Sequence, residues 1–209
     1  MTLVDLNIKE FMHQVAQDSP APGGGSIAAL AGSLAAALCA MVSRLTLGRE
    51  KYRPVWKDME RVRDSADGLA KRLLSLMDKD TESFDRVMAA FRLPKDTREQ
   101  KAARANAIQE AYRQAALVPL ETLRAVDELA GLVQEVLIKG NPNCITDAGV
   151  SAQLLRAAAV GAAYNVRVNL MAITDPGFSG PLDKVVLDLV KGIDKTVVEL
   201  GKRVEETLE

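Results

Sequence analysis

The sequence predicts an all-α protein: a single domain, residues 1–209, of about six helices packed as a long-helix bundle. Three observations carry this. Apolar residues recur at steps of three and four over long stretches, the period of helices that turn one face to a core. Seven of the eight prolines (Pro20, Pro22, Pro54, Pro94, Pro142, Pro176 and Pro181) fall between those stretches, where each removes a backbone donor and disfavours helix at the residue before it. No segment alternates with a period of two or carries an Asn-Gly hairpin turn, so no strand is expected. The breaks leave helices at roughly 3–18, 26–47, 54–92, 97–139, 146–173 and 181–208.

The first helix bears the stripe Val4, Ile8, Phe11 and Val15, from which His13 projects away. The second follows Gly23-Gly24-Gly25-Ser26 and is apolar or small nearly all the way round; Ala28, Gly32, Ala36 and Ala40 recur every fourth residue and permit close helix approach. Its uncharged run from Ile27 to Val42 is shorter than the roughly 20 strongly apolar residues of a membrane span. A helix buried in protein on every side is expected instead. The third carries Met59, Val62, Ala66, Leu69, Leu73, Leu76, then Asp80, then Phe84, Val87 and Phe91. The fourth contains Pro119, which removes a hydrogen bond and should kink the helix near Ala115. The fifth opens from Gly140-Asn141-Pro142-Asn143-Cys144-Ile145-Thr146-Asp147, where Thr146 or Asn143 can cap it. The last has an ordinary one-sided stripe, Leu182, Val186, Leu189, Ile193, Val197, Leu200, Val204 and Leu208. Because the second and fifth helices lack a polar face, the chain is expected to bury surface against a second copy, as a homodimer.

Composition excludes several classes of function. A net charge of −1 lacks the basic excess of a nucleic-acid binder, and 4% aromatics leave little for base stacking. One histidine rules out a His-rich metal site, and two distant cysteines, Cys39 and Cys144, make neither a disulfide scaffold nor a zinc cluster. No basic segment followed by an apolar core follows Met1, so a cytoplasmic protein is expected.

Chemistry is sought at the places where the pattern breaks. Asp80 occupies a position where the three-four rhythm demands an apolar residue. Either the helix passes the edge of the core there and the acid reaches water, or a desolvated carboxyl is poised for acid–base work. Asp147 is either a first-turn acid favoured by the helix dipole or a second reacting carboxylate. Asp147, Ser151, Asn165 and Asn169 share one helix face, but Asp147 and Asn165 lie roughly 27 Å apart along the axis. The Gly23–Ser26 turn matches no phosphate-binding fingerprint, yet glycines before a helix let a ligand approach free N–H groups. Cys144 reads as a passive thiol.

Four blocks together carry a resemblance. They are Ser19-Pro20-Ala21-Pro22-Gly23-Gly24-Gly25-Ser26 with its Ala-rich helix; Asp80-Thr81-Glu82-Ser83-Phe84 leading to Leu93-Pro94-Lys95; Gly140-Asn141-Pro142-Asn143 through Thr146-Asp147-Ala148-Gly149-Val150; and Asn165-Val166-Arg167-Val168-Asn169-Leu170. In this order they resemble the cyclodeaminase/cyclohydrolase family, which groups the cyclodeaminase domain of formiminotransferase-cyclodeaminase with stand-alone bacterial methenyltetrahydrofolate cyclohydrolases. Thr146 stands where that family often has serine. The resemblance implies an all-helical, dimeric fold and a tetrahydrofolate substrate, with no metal or redox cofactor. It implies catalytic roles for Asp80 and Asp147, and substrate contacts from Gly23, Gly24, Gly25, Ser26, Lys95, Asn143 and Asn169. Arg156 and Arg167 are left unassigned. The expected activity is hydrolysis of 5,10-methenyltetrahydrofolate to 10-formyltetrahydrofolate. Alternatives are a formimidoyltetrahydrofolate cyclodeaminase releasing ammonia, and a non-catalytic helical folate-binding or assembly protein. No transferase activity is implied.

Overall fold

The computed structural model describes residues 2–209, and every regular element among them is helical. Six α-helices run α1 Ile8–Val15, α2 Gly24–Thr46, α3 Trp56–Phe91, α4 Arg98–Lys139, α5 Ile145–Met171 and α6 Pro176–Leu208. Short 3-10 turns at Leu3–Asp5, Glu50–Val55 and Pro142–Cys144 join them. Side-chain caps account for several of the boundaries. Asn7 and Glu10 form a reciprocal capping box that starts α1, so the expected helix from residue 3 is cut to one beginning at Ile8. Thr97 and Gln100 do the same for α4. Asp175 accepts from the Gly177 N–H and starts α6 at Pro176, not at the expected residue 181. Pro181 therefore lies within the first turns of α6.

The α5 start corrects another expectation. Neither Thr146 nor Asn143 caps it; both are exposed, and Cys144 at the N-cap makes no side-chain bond. The organising residue is buried Asn141, whose Oδ1 accepts from the Asn143 N–H at 3.2 Å and the Tyr52 hydroxyl at 3.0 Å. Its own N–H donates to Thr46 Oγ1 at 2.9 Å, which ties the α4–α5 turn to the end of α2.

Helix α2 packs on α3 and α5, and α4 packs on α3, α5 and α6. The α2/α5 pair is antiparallel: a Cβ on Gly161 would stand 3.1 Å from that of Ala28, and Ser151 Oγ donates to the Ala35 carbonyl at 2.8 Å. Glycine at 161 is what lets the two backbones close up. The core is Ala-rich along α2 and α5 and larger along α3 and α4, where Met59, Leu73, Leu76, Leu123 and Leu129 are fully buried. Cys39 lies inside it, and burial, with the Glu135 charge adding, pushes its thiol up to about 12. Helix α2 is not enclosed on every side as expected: Ile27, Leu34 and Leu45 face outward at 38%, 50% and 41% exposure. Val150, Tyr164 and Val168 continue an exposed face along α5.

Candidate active site

The stripe on α3 drifts as it approaches its C-terminus. Beyond Leu76 the buried positions become Met77, Ser83, Val87 and Ala90, while Asp80 is half-buried and Phe84 and Phe91 leave the core. These departing side chains wall a cavity of about 370 Å³. It lies between the start of α2, the last turns of α3, the middle of α4 and the end of α5. Its lining combines Gly23, Gly24, Gly25, Asp80, Asn165 and Asn169 with the apolar or aromatic Phe84, Val87, Met88, Phe91 and Tyr112.

Gly25 determines how Asp80 is held. A Cβ there would fall 2.3 Å from Asp80 Oδ1, so the carboxyl fills the space that any other residue would need. Ser26, fully buried, donates its hydroxyl to Asp80 Oδ2 at 2.9 Å and lies 3.4 Å from the Thr81 hydroxyl. Burial pushes the Asp80 carboxyl upward from 3.8, with the Ser26 hydroxyl and backbone N–H pulling the other way. No side chain caps α2 at Gly23, so the first N–H groups of α2 open beside the carboxyl, where the helix dipole favours a negative or carbonyl oxygen.

On the α5 side, Asn165 Nδ2 donates to the Gly161 carbonyl at 2.8 Å. Asn169 Nδ2 donates to the Asn165 carbonyl at 2.7 Å and to the Ala115 carbonyl of α4 at 3.2 Å. Phe91 and Tyr112 meet edge to face with centroids 6.1 Å apart. Arg104 fastens that wall: its guanidinium donates twice to the Phe91 carbonyl, at 3.2 and 3.1 Å, and lies 5.5 Å from the ring centroid.

The structure thus gathers Gly23, Gly24, Gly25, Ser26, Asp80 and Asn169 at one place and leaves three expected site residues elsewhere. Lys95 is exposed in the α3–α4 turn beyond Phe91 and does not line the cavity. Asn143 is exposed and Asp147 half-buried at the opposite end of α5, eighteen residues and roughly 27 Å of helix from Asn165. A pair of acids within one chain is therefore not what this cavity offers, because the antiparallel course of α2 and α5 sends their ends apart. Arg167 and Arg156 pair with Asp183 and Asp194 of α6. Asn165, Tyr112 and Arg104 join the site without having been assigned to it. The four-residue spacing of Asn165 and Asn169 was the visible signal for the first, whereas nothing local marks a tyrosine or arginine in an exposed-looking helix. No group of three His, Cys, Asp or Glu side chains comes together among the described residues.

The family model described as formiminotransferase-cyclodeaminase matches residues 7–186. The chain belongs to that family. Within the formiminotransferase-cyclodeaminase family, it is 40% identical over 201 residues to a methenyltetrahydrofolate cyclohydrolase of Methylorubrum extorquens, covering 96% of this chain and 95% of the relative. It is 38% identical over 177 residues to the formimidoyltransferase-cyclodeaminase of Mus musculus, covering 85% of this chain but 33% of that longer protein. Among solved structures, the formiminotetrahydrofolate cyclodeaminase of Thermotoga maritima superposes with a TM-score of 0.81 at 30% identity, covering 99% of this chain and 97% of that one.

Proposed function

We propose that this protein is a methenyltetrahydrofolate cyclohydrolase. The observation that carries the reading is the 40% identity to an enzyme of that name, extending over nearly the full length of both chains. In this reading the α2 start, Asp80 and the two asparagines hold the reduced pteridine and its one-carbon bridge, while Phe84, Phe91 and Tyr112 flank its rings. Asp80, raised by burial, takes a proton from the water that adds to the amidinium carbon. The tetrahedral carbon then breaks its bond to N5, which receives a proton as the hydroxyl becomes the formyl carbonyl. The net reaction consumes water and releases one proton. In this reading the N–H groups of Gly24 and Gly25, which open onto the cavity beside Asp80, stabilise the oxygen growing on that carbon. The chemistry as written calls on no metal or redox cofactor.

A second reading, formimidoyltetrahydrofolate cyclodeaminase, is favoured by the Thermotoga maritima structural neighbour. There N10 attacks the formimino carbon and ammonia leaves from the same kind of tetrahedral centre, so one carboxylate serves either reaction. The non-catalytic reading is not favoured, since the matched relatives are named as enzymes. Loss of 5,10-methenyltetrahydrofolate followed by absorbance, beside an ammonia-release assay with 5-formiminotetrahydrofolate, separates the first two. Rapid hydrolysis with no ammonia release supports the cyclohydrolase; the reverse removes it.

The outward apolar face of α2 and α5 supports a homodimer. A two-fold arrangement with the α5 helices antiparallel would set the Asp147 end of one copy against the cavity end of the other. This is the arrangement in which Asp147 could act. With α2 packed against α3 and α5, we read it as a core helix and not a membrane span, in keeping with a cytoplasmic enzyme.

A further inference from the structure

Pro119 lies in the middle of α4, buried, and α4 runs on through it from Arg98 to Lys139. In an unbroken helix the N–H of residue 119 bonds to the carbonyl of residue 115. Proline has no N–H, and its ring presses on that carbonyl and tilts it away from the axis. The Ala115 carbonyl therefore lacks its helical donor. It is the carbonyl that receives Asn169 Nδ2, at 3.2 Å across the α4–α5 contact.

We propose that Pro119 is a positioning residue: by freeing the Ala115 carbonyl to hold the Asn169 amide nitrogen, it presents Asn169 Oδ1 to the cavity as an acceptor for a ligand N–H. An asparagine amide has two N–H donors and one acceptor oxygen. Here both donors are engaged, on the Ala115 and Asn165 carbonyls. Turning the amide over would set its oxygen against two carbonyl oxygens, so the orientation is fixed by the surroundings. Oδ1 has no hydrogen-bonding partner among the described residues, and Asn169 lines the cavity. One helical turn away, Asn165 spends one Nδ2 hydrogen on the Gly161 carbonyl and keeps the other beside Gly24, so only Asn169 is committed as an acceptor. Asn169 on the wall of α5 therefore selects a ligand edge that carries an N–H donor, as the edge of a reduced pteridine does. The inference rests on the folate reading of this cavity and deepens it, since it names the side of the ligand that meets α5 and a residue out of its reach that sets the contact.

The test is a double-mutant cycle read by binding of 5-formyltetrahydrofolate, by steady-state kinetics and by thermal unfolding. Pro119→Ala restores the N–H, and Pro119→Val restores it while better preserving buried volume, should the alanine variant fold poorly. Each is expected to weaken binding about three- to tenfold, the range of one hydrogen bond, and to raise KM more than it lowers kcat, with Tm unchanged or higher. Asn169→Ala should weaken binding by a similar factor. Adding Pro119→Ala to Asn169→Ala should then change nothing further. The proposal is overturned if both Pro119 variants bind like the parent while Asn169→Ala does not, or if the two effects simply multiply. If Asn169→Ala itself leaves binding intact, the folate reading of the cavity fails first, and the proposal with it.

Discussion

Asp80 and Gly25 share a space that admits only this combination. A methyl group on residue 25 would stand 2.3 Å from the carboxyl oxygen, and the side chain that must give way is the one proposed to move the proton. Gly25→Ala is therefore expected to lower kcat by about a hundredfold, the cost of displacing a reacting group by roughly 1 Å, with the helix content by circular dichroism unchanged. Asp80→Asn should lower kcat by about two orders of magnitude or more through loss of the acid–base group, and near-normal turnover of both folate substrates would remove Asp80 from the chemistry. Stability should move the other way. Because the folded protein holds the Asp80 carboxyl above 3.8, it binds that proton more tightly than the unfolded chain does. Whatever Asp80 contributes is fully present below 3.8 and is lost as pH rises through the folded value. Denaturant titrations from acidic to neutral buffer should thus show the stability of Asp80→Asn rising relative to the parent with rising pH; a relative stability that stays constant or falls contradicts the raised carboxyl.

Among the elements, the joint between α4 and α5 depends on one amide. Asn141 is 3% exposed, and its side chain serves the Tyr52 hydroxyl, the Asn143 N–H and the Leu45 carbonyl at once. Asn141→Ala should cost about 1–3 kcal/mol, the penalty for leaving buried partners unsatisfied, while the cavity of the same chain, a helix length away, keeps its geometry. Urea midpoints and initial rates on the same sample decide this, and a catalytic loss without a stability loss would relocate the site toward Asp147. The α2/α5 pair makes the complementary prediction. Leu34→Glu places a charge at the centre of the outward apolar face, where the isolated chain tolerates it at 50% exposure. A shift of the mass by light scattering from dimer to monomer is expected, whereas a folded dimer in the variant would move the interface elsewhere.

At the scale of the whole molecule, the question is whether one site needs two chains. If Asp80 and Asp147 act together, they do so across the two-fold axis, and inactive Asp80→Asn and Asp147→Asn proteins should regain activity when unfolded and refolded as a mixture, because one of the two sites in a mixed dimer receives both acids. An Asp147→Asn protein that is active unmixed would confine the chemistry to Asp80 and its own chain, and an inactive mixture of two inactive variants would rule out sharing of the acids across the axis. The helical fold was legible in the chain because prolines and three-four stripes are local signals, and four of the six helices begin within two residues of where those signals put them. The departures have local causes as well: Asn7 and Asp175 capture helix starts that apolar periodicity alone mislocates. The cavity was half legible. Asp80 announced itself as a polar break in an apolar stripe, and the Gly23–Ser26 turn as free backbone. Phe84 and Phe91 fitted the stripe equally well and were read as core, since only the drift of α3 over its last turns separates core from cavity wall. Arg104 and Tyr112 meet Phe91 through a packing of two helices that no one-dimensional pattern records.

The depth of Cys39 has a practical consequence. A thiol with no exposed surface and a proton held up to about 12 cannot meet an alkylating reagent while α2 stays packed between α3 and α5. Its rate of labelling therefore counts the moments at which the central helix comes loose, and in a Cys144→Ala protein a mass measurement after a timed pulse of reagent reports the opening of the bundle's middle without any dye or added probe.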